Sequence, residues 1–332
     1  MAKIFVAGSG SWGLAIAKMA AEKGHDVTIS CRSEEKAAEL ARRRENPRLL
    51  PGVRLPDSVR VTADYGLARE AELVVIAVPS HAVREICLAL QGCLQAGVPL
   101  VLLSKGFDRE QGDCLLSETV ESILPGHPVA ALTGPSHAEE VGRKMPTAVV
   151  AACADEEVSK LVQEIFTTEY FRIYTSTDII SAELGGAMKN IMAIAVGMSD
   201  GYGFGDNTKA MLMTRGIAEM SRLGVCLGGE AETFAGLSGI GDLIVTCISQ
   251  HSRNRRFGLL IGRGMPVQQA LKEVGAVVEG YYATGAIHRI TQEKGIEMPI
   301  CNAIYSILYK DVPITQMHAL LLDRPNRSEQ EP

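Results

Sequence analysis

The feature that most constrains this chain is the segment GSGSWG at residues 8–13, which has the spacing G-x-G-x-x-G. It follows a short apolar run at residues 4–7 and opens an Ala-rich stretch with helical spacing. In such a turn Gly8 allows a tight bend, Gly10 lets the backbone approach a pyrophosphate, and Gly13 lets the helix pack against the strand. The N–H groups at the helix start then hold the phosphates. The segment therefore predicts a dinucleotide site.

The first half of the chain alternates strand-length apolar runs with helical patterns. The runs lie at residues 4–7, 27–30, 73–78, 100–104, 129–133 and 148–153, and helical patterns lie between them, as at 11–23 and 80–90. Several runs are unbroken, which is typical of parallel strands covered on both faces. This order predicts an α/β Rossmann-type doubly wound sheet.

The second half has a different character, with long helical segments rich in Ala, Met, Leu and Gly, as at residues 180–198 and 210–223. It predicts a mainly α-helical C-terminal domain. We therefore expect an NAD(P)-binding Rossmann-type domain over 1–178 and a helical substrate and catalytic domain over 179–322. The polar tail at 323–332 is expected to be disordered.

The charge balance limits the partners of the chain. With 33 Lys and Arg against 39 Asp and Glu, the net charge is −6. Because proteins that bind duplexes normally carry a basic excess, we expect no nucleic-acid partner. An anionic small molecule would need a local cationic site.

The cysteines, histidines and apolar runs bear on compartment and metal content. None of the eight cysteines forms Cys-x-x-Cys, and they are interpreted as buried free thiols in a reducing cytoplasm. The seven histidines form no His-x-x-x-His pair, so no metal site is expected. No apolar run approaches the roughly 20 residues of a transmembrane helix, so no transmembrane segment is expected.

The residues after the second predicted strand bear on the choice of cofactor. An NAD site usually carries an acid there, whereas this chain has Cys31-Arg32-Ser33. An arginine suits a 2′-phosphate, which favours NADPH. Glu34 or Glu35 could instead reach a ribose, so NADH remains open, as does an ordinary solvated role for Arg32.

The second strong signal is a lysine in an apolar helical segment. Lys189 is the only ionisable side chain between Leu184 and Ser199, and Asn190 adds an amide beside it. Desolvation disfavours the charged form, so we expect a lowered pKa that suits proton exchange near neutral pH. A lysine that snorkels from a core helix is the alternative.

A third cluster packs donors together at residues 252–256, which read Ser-Arg-Asn-Arg-Arg. If Ser252 lies near the N-cap of a helix, backbone N–H groups join these side chains, an arrangement that suits a phosphate. Lys105 adds a cation after the predicted strand at 100–104, at a carboxyl end where ligands bind in open α/β sheets. A solvated basic turn is the alternative for 252–256.

These segments together resemble the bacterial NAD(P)-dependent glycerol-3-phosphate dehydrogenases over nearly the whole chain. The resemblance is carried by residues 8–13, 78–81, 104–106, 134–138, 184–190, 197–201, 214–216, 239–243 and 252–257. It implies reduction of dihydroxyacetone phosphate to sn-glycerol 3-phosphate with NADPH or NADH, for phospholipid biosynthesis. One departure is His137, where the family often has an aromatic residue; we assign it no chemical role.

The resemblance also implies roles for individual residues. Lys189 resembles the general acid and base, Lys105 a second cation, and Asp242 with Thr246 the group that orients Lys189, with Asn190 alongside. Implied substrate contacts are Lys105, Gly134, Ser136, Lys189, Asp242, Ser252, Arg253 and Asn254. Implied cofactor contacts are Gly8, Gly10, Ser11, Trp12, Gly13, Arg32, Lys105, Ala138, Arg253, Val277 or Val278, and Glu279.

Three alternatives remain at this stage. Dehydrogenases for 6-phosphogluconate or 3-hydroxyacyl-CoA share the glycine motif but should differ at 184–190 and 252–256. A non-catalytic nucleotide sensor could keep the fold, although it has no need of Lys189. The oligomeric state is not fixed by the sequence, and a homodimer is one expectation.

Overall fold

The computed structural model describes residues 1–317, 319, 328 and 329. The chain divides into two compact units, Met1–Ile179 and Ile180–Pro332. The first predicted domain ends one residue earlier, at 178. The tail predicted to be disordered, 323–332, lies outside the described residues apart from 328 and 329.

Unit 1 is built on an eight-stranded sheet with the order β3-β2-β1-β4-β5-β8-β9-β10, beside a two-stranded hairpin of β6 and β7. The strands are β1 (Lys3–Ala7), β2 (Asp26–Ser30), β3 (Arg60–Thr62), β4 (Leu73–Ile76), β5 (Leu100–Leu102), β6 (Phe107–Asp108), β7 (Cys114–Leu115), β8 (Val129–Thr133), β9 (Thr147–Ala152) and β10 (Phe171–Ser176). Helices alternate with them: α1 (Ser11–Glu22), α2 (Glu34–Arg43), α3 (Val83–Leu90), α4 (Leu116–Ile123), α5 (Ala138–Gly142) and α6 (Glu156–Phe166). The predicted fold class is confirmed.

The position of β1 in this order determines where a ligand binds. It pairs in parallel with β2 on one side and β4 on the other, so the strand order reverses at β1. Ligands of open α/β sheets bind outside the carboxyl ends of the strands at such a reversal. The segment GSGSWG begins at this point, directly after Ala7.

The sheet is covered on both faces, as the unbroken apolar runs predict. Along β1, Ile4 and Val6 belong to one buried cluster, whereas Phe5 and Ala7 belong to the other. Successive side chains of a strand point to opposite faces, so both faces of β1 need apolar neighbours. Trp12 packs at the margin of the first cluster.

The direction of β9 differs from the expected parallel sheet, since β8 and β9 are antiparallel. The connection between them contains only α5, which has five residues. Such a helix spans about 8 Å, roughly half the length of a five-residue strand. It is too short to return the chain to the opposite end of the sheet, as a parallel crossover requires.

Two strands of the eight-stranded sheet were not predicted from the sequence, and both lie at its edges. The strand β3 is short and carries an exposed Arg60, and β10 alternates buried Phe171 and Ile173 with exposed residues. Edge strands face water on one side, so they lack the continuous apolar run that marks the central strands.

Unit 2 is helical in its described part. Its helices are α7 (Ile179–Tyr202, whose first residue belongs to unit 1), α8 (Asp206–Cys226), α9 (Asp242–Ile248), α10 (Arg253–Gly262), α11 (Val267–Val274), α12 (Glu279–Lys294) and α13 (Pro299–Tyr309), and a π-helical turn, Leu237–Gly241, precedes α9. The helical segments predicted at 180–198 and 210–223 lie within α7 and α8. Most of α7 is buried, from Ser181 to Ser199.

Glycines explain how α7 and α10 pack so closely. A Cβ atom at Gly197 of α7 would collide with the carbonyl oxygen of Arg255 of α10. Likewise, a Cβ atom at Gly258 would collide with the carbonyl oxygen of Ile194. The two backbones are therefore in direct contact, and this contact brings the start of α10 beside the middle of α7.

The helix α7 contains a longer apolar stretch than was expected from the sequence for any part of the chain. Within the described residues α7 is long and apolar enough to span a bilayer, but 89% of its most apolar stretch is buried inside the protein. A core helix of a folded domain has the same composition, because it too is apolar on every side.

The cysteines are free thiols, but not all are buried as expected. Cys31, Cys87, Cys153, Cys247 and Cys301 are buried, Cys93 and Cys114 are partly buried, and Cys226 is exposed. Cys226 is the last residue of α8, where the helix meets solvent.

A buried carboxylate, Glu219 of α8, serves as the cap of α13. It accepts hydrogen bonds from the N–H groups of Ile300 (2.6 Å) and Cys301 (3.2 Å). Burial raises its pKa to about 7, although the two N–H groups and Arg222 favour the charged form. Its place in the apolar stripe Leu212, Gly216, Glu219 and Leu223 is the sequence signal that could have identified it.

This carboxylate predicts a specific pH dependence of stability. Because the folded pKa exceeds the unfolded value of 4.5, the folded state binds the proton more tightly, and stability declines as the pH rises between these values. Relative to Glu219→Gln, the wild type should lose at most roughly 3 kcal/mol between about pH 4.5 and pH 8. Urea unfolding of both proteins measures this, with exposed Glu232→Gln as the control. Parallel pH curves for wild type and Glu219→Gln would contradict it.

Candidate active site

The glycine turn of unit 1 has the shape of a phosphate cradle. Gly8 adopts φ = +119°, and a Cβ atom there would lie 2.6 Å from the carbonyl oxygen of Ala77. A Cβ atom at Gly13 would collide with the carbonyl oxygen of Gly8. Gly10 is the N-cap of α1 and offers no side-chain cap. The first N–H groups of α1 lack intrahelical acceptors, so this turn fits the pyrophosphate of a dinucleotide.

The next two residues of the motif contact other parts of unit 1. The Ser11 hydroxyl donates to the carbonyl oxygen of Leu49 at 2.8 Å, which places the α2–β3 connection beside the start of α1. Trp12 packs edge-on against Phe171, with ring centroids 6.3 Å apart. Both residues thus border the glycine turn.

The end of β2 presents its charged side chains to solvent. Arg32 is exposed, and so are Glu34 and Glu35 in the first turn of α2. Ser33 caps that helix by accepting the N–H of Lys36 at 3.4 Å. The cation and both acids therefore remain candidates for the adenosine ribose.

Arg32 gives a prediction on cofactor choice. Arg32→Ala should lower kcat/KM for NADPH roughly 10-fold and leave NADH nearly unchanged, because only NADPH carries the 2′-phosphate. Steady-state kinetics with both cofactors measures this, with exposed Arg42→Ala of α2 as the matched control. Equal losses with the two cofactors would show that Arg32 does not read the 2′-phosphate.

Residues from two segments of unit 1 meet at the Gly134 carbonyl. Lys105 Nζ donates to this oxygen at 3.2 Å, and the Ser136 hydroxyl donates to it at 2.8 Å. Gly134 has φ = +127°, a conformation that side-chain-bearing residues rarely adopt. The structure thus brings together Lys105, Gly134 and Ser136, and Ala138 follows as the first residue of α5.

In unit 2, Lys189 meets two residues of α9 in a buried cluster. Its ammonium forms an ion pair and a short hydrogen bond with Asp242 and donates to the Thr246 hydroxyl at 3.0 Å. That hydroxyl donates to the backbone carbonyl of Asp242 at 2.6 Å, which turns its lone pairs toward Lys189. The exposed fraction of the Lys189 side chain is 10% and that of Asp242 is 1%.

This cluster gives Lys189 a different electrostatic environment from the one that the sequence predicted. The lowered pKa expected for Lys189 assumed that its side chain lies among apolar residues alone. In the structure the Asp242 carboxylate lies beside it, and a nearby negative charge favours the ammonium form. The neighbouring Cys247 stays neutral, because burial raises the pKa of its thiol to about 12. The side chain of Lys189 is therefore held in place by a carboxylate and a hydroxyl.

Asn190 links α7 to α10 through a hydrogen bond with Asn254. Its side-chain oxygen accepts a hydrogen bond from the Asn254 amide at 2.8 Å, and the Asn254 oxygen accepts the N–H of Gly280 at 2.9 Å. A Cβ atom at Gly280 would lie 2.5 Å from the Asn190 carbonyl oxygen. Asn254 therefore ties α10 to α7 and α12, beside the predicted contacts Val277 and Glu279.

The start of α10 has the geometry that its sequence predicts. Ser252 is the N-cap and accepts the N–H of Arg255 at 3.2 Å. The N–H groups of Arg253 and Asn254 lie in the first turn, where a helix offers no acceptor. Arg253 is exposed at this turn, so its guanidinium is available for an anion.

The other two arginines of the cluster have different partners. Arg255 donates to Asp200 Oδ2 from Nε (3.2 Å) and Nη2 (2.6 Å), and Lys209 pairs with the other oxygen at 3.1 Å. Arg256 lies 3.7 Å from Glu273 at the surface. The pairing of Arg255 with Asp200 was not predicted, because 55 residues separate the two in the sequence. Of the three arginines, Arg253 is thus the best candidate for an anion.

The described part of the chain contains no candidate metal site. No group of three or more His, Cys, Asp or Glu side chains there is arranged to hold an ion. The charged clusters described above consist of cation–carboxylate pairs.

Comparison with protein families gives two adjacent matches. Residues 3–159 match the N-terminal region of NAD-dependent glycerol-3-phosphate dehydrogenase, and residues 178–319 match its C-terminal region. Together the two matches account for most of the chain.

Individual relatives agree along nearly the full length. The chain is 50% identical to a Moorella thermoacetica protein named glycerol-3-phosphate dehydrogenase NAD(P)+, covering 99% of this chain and 98% of that one. It is 48% identical to the protein of that name from Desulfitobacterium hafniense, over 97% and 92%. A crystal structure of glycerol-3-phosphate dehydrogenase from Coxiella burnetii superimposes with a TM-score of 0.92 at 37% identity, covering 97% and 99%.

Proposed function

The chain belongs to the NAD-dependent glycerol-3-phosphate dehydrogenase family, and from this premise we propose that it reduces dihydroxyacetone phosphate to sn-glycerol 3-phosphate with NADPH or NADH. The observation that supports this reaction most directly is the buried cluster of Lys189, Asp242 and Thr246. A neutral ketone becomes an alkoxide during reduction, so a held ammonium stabilises the transition state and supplies the proton.

The reduced nicotinamide, when bound, supplies the hydride. The ammonium of Lys189 then gives a proton to the carbonyl oxygen of the substrate, and in the reverse direction Lys189 takes the proton back. Asp242 and Thr246 hold the ammonium in one orientation, which lowers the entropic cost of the transfer. These separate roles in proton transfer and orientation account for the pairing of Lys189 with a carboxylate.

The start of α10 provides the proposed site for the substrate phosphate. Arg253 and the first N–H groups of the helix together match the charge and the acceptors of a phosphate dianion. Ser252 and Asn254 flank this turn and keep it ordered through their own hydrogen bonds. Binding of the distal phosphate supplies free energy that positions the ketone.

The residues of unit 1 have the remaining proposed roles. Gly8, Gly10 and Gly13 hold the pyrophosphate, with Ser11 and Trp12 beside it, and Arg32 holds the 2′-phosphate of NADPH. Lys105, Gly134 and Ser136 contact the substrate, and Lys105 and Ala138 contact the cofactor. In unit 2, Arg253, Val277 and Glu279 are proposed as further cofactor contacts, and Asn190 as a support for Asn254.

The test of this function is oxidation of NADPH in the presence of dihydroxyacetone phosphate or unphosphorylated dihydroxyacetone. We expect turnover with the phosphorylated ketone and little with the other, because only the former engages Arg253. If NADPH binds but neither ketone turns over, the chain is a sensor or acts on another substrate. Comparable rates with both ketones would remove the phosphate site from the proposal.

We also propose a cellular setting. The reaction supplies the glycerol phosphate backbone of phospholipids, in the cytoplasm, where the free cysteines stay reduced.

A homodimer is proposed because Ile240, Ile244 and Ile248 are exposed together at and beside α9. A monomer mass in sedimentation equilibrium would overturn the dimer.

A further inference from the structure

Lys105 lies on a short segment that is anchored at both ends. On one side the Ser104 hydroxyl donates to the carbonyl oxygen of Val78 at 2.5 Å. On the other side the chain passes through Gly106, with φ = +151°, into the hairpin of β6 and β7. The position of Lys105 therefore depends on what fixes the hairpin.

The hairpin is fixed by Asp108, a buried carboxylate that receives several hydrogen bonds. Arg84 of α3 donates to Oδ2 from Nε at 2.9 Å and lies 2.7 Å from it through Nη2. Thr119 of α4 donates to the same oxygen at 3.0 Å, and the Glu110 N–H donates to Oδ1 at 2.9 Å. The exposed fraction of the Asp108 side chain is only 7%.

The charge of Asp108 is compensated by these partners. Burial opposes ionisation, but the hydrogen bonds from Arg84, the Glu110 N–H and Thr119 outweigh it and hold the pKa of Asp108 below its usual value. A carboxylate that receives four donors from two helices and its own hairpin has a single orientation. Asp108 thus sets the angle at which the chain leaves Gly106.

We propose that Asp108 and Arg84 form a positioning pair that holds Lys105 in its working orientation. This rests on the proposed function of Lys105 as a cation at the substrate. Asp108 touches neither substrate nor cofactor in this proposal, and it acts only through the backbone of the segment from Lys105 to Asp108. An error of about 1 Å in the placement of such a cation costs up to about 100-fold in rate.

The test is a double-mutant cycle in the full-length enzyme. Asp108→Asn places an amide donor against Arg84, so the pair is lost while the volume is kept. With Lys105 present, we expect kcat/KM for dihydroxyacetone phosphate to fall about 10- to 100-fold. In the Lys105→Met background the same substitution should change it less than about 2-fold, because no cation is left to position.

The control is Glu110→Gln. Glu110 Oε2 lies 3.9 Å from the same arginine, and its side chain is 80% exposed, so this variant removes a nearby carboxylate without touching the pair. We expect wild-type kinetics from it. If Asp108→Asn does not fold, Arg84→Met takes its place in the cycle, and Arg84→Lys should recover part of the rate.

The outcomes separate this inference from the proposed function. If Lys105→Met lowers kcat/KM and Asp108→Asn lowers it by the same factor in both backgrounds, the positioning role is overturned while the role of Lys105 stands. If Lys105→Met leaves kcat/KM unchanged, the role of Lys105 falls and the positioning role falls with it. Non-additive losses support both.

Discussion

Lys189→Met should lower kcat for dihydroxyacetone phosphate by about a hundred- to ten-thousand-fold while NADPH still binds. Met replaces the aliphatic part of the lysine side chain but has neither a proton nor a charge to offer the forming alkoxide. Stopped-flow or steady-state oxidation of NADPH measures the rate, and fluorescence titration measures cofactor affinity. A kcat near that of the wild type would remove Lys189 from the mechanism.

Because Asp242, the partner of Lys189, is buried, a second variant is needed. Removing the cation leaves the Asp242 carboxylate buried without a counter-charge, which destabilises proteins by about 3–5 kcal/mol. The double variant Lys189→Met with Asp242→Asn has no such charge and should fold more stably while remaining inactive. Exposed Lys272→Met on α11 is the matched single control and should keep full activity. Recovery of activity in the double variant would mean that Lys189 only neutralises Asp242.

Arg253→Ala should raise KM for dihydroxyacetone phosphate about 30- to 1000-fold, the loss expected when one partner of a close charge pair is truncated. At saturating NADPH, which offsets any loss of the proposed cofactor contact, the weak turnover of unphosphorylated dihydroxyacetone should not change, since that ketone has no phosphate to contact. This difference between two substrates separates loss of the phosphate site from general damage to the fold.

Arg256→Ala is the matched control for the phosphate site. Arg256 lies on the same helix and is also exposed, but its guanidinium faces Glu273. We expect its KM to stay within about 2-fold of the wild type, since a surface ion pair contributes little. Equal effects of Arg253→Ala and Arg256→Ala would mean that the helix acts through net charge alone, and Arg253 would lose its specific role.

The central sheet was predictable because its signals are local. The strand predicted at 129–133 has those bounds in the structure, and the glycine turn lies directly after β1 as expected. Each signal is a run of apolar side chains or a turn residue within a few positions. The edge strands β3 and β10 were missed, because an edge is only half buried. The strand β9 was predicted at 148–153, but its antiparallel direction was not, because direction depends on the connecting path.

The candidate site was predictable as a set of residue types but not as a set of contacts. The sequence places a lysine in an apolar helix, and this holds in the structure. It left open whether Ser252 begins a helix or lies in a solvated turn, and the structure shows Ser252 as the N-cap of α10. Nothing in the sequence indicated that Arg255 pairs with Asp200, or that Asn190 accepts a hydrogen bond from Asn254. Arg253, flanked by Ser252 and Asn254 at the helix start, stays the proposed phosphate site.

The amino-acid sequence by itself thus determined the family, the strand–turn–helix cradle and a lysine within an apolar helix, since turn chemistry and periodicity act over a few residues. The family resemblance implied that Asp242 and Thr246 orient Lys189, but only the tertiary structure gave the contacts themselves. Lys189 and Asp242 are 53 positions apart, and Asn190 and Asn254 are 64 apart. Such pairs form because glycines let the backbone of α7 lie against α10, at Gly197 and Gly258, and against the turn before α9, at Gly185. No local pattern in the sequence encodes these approaches.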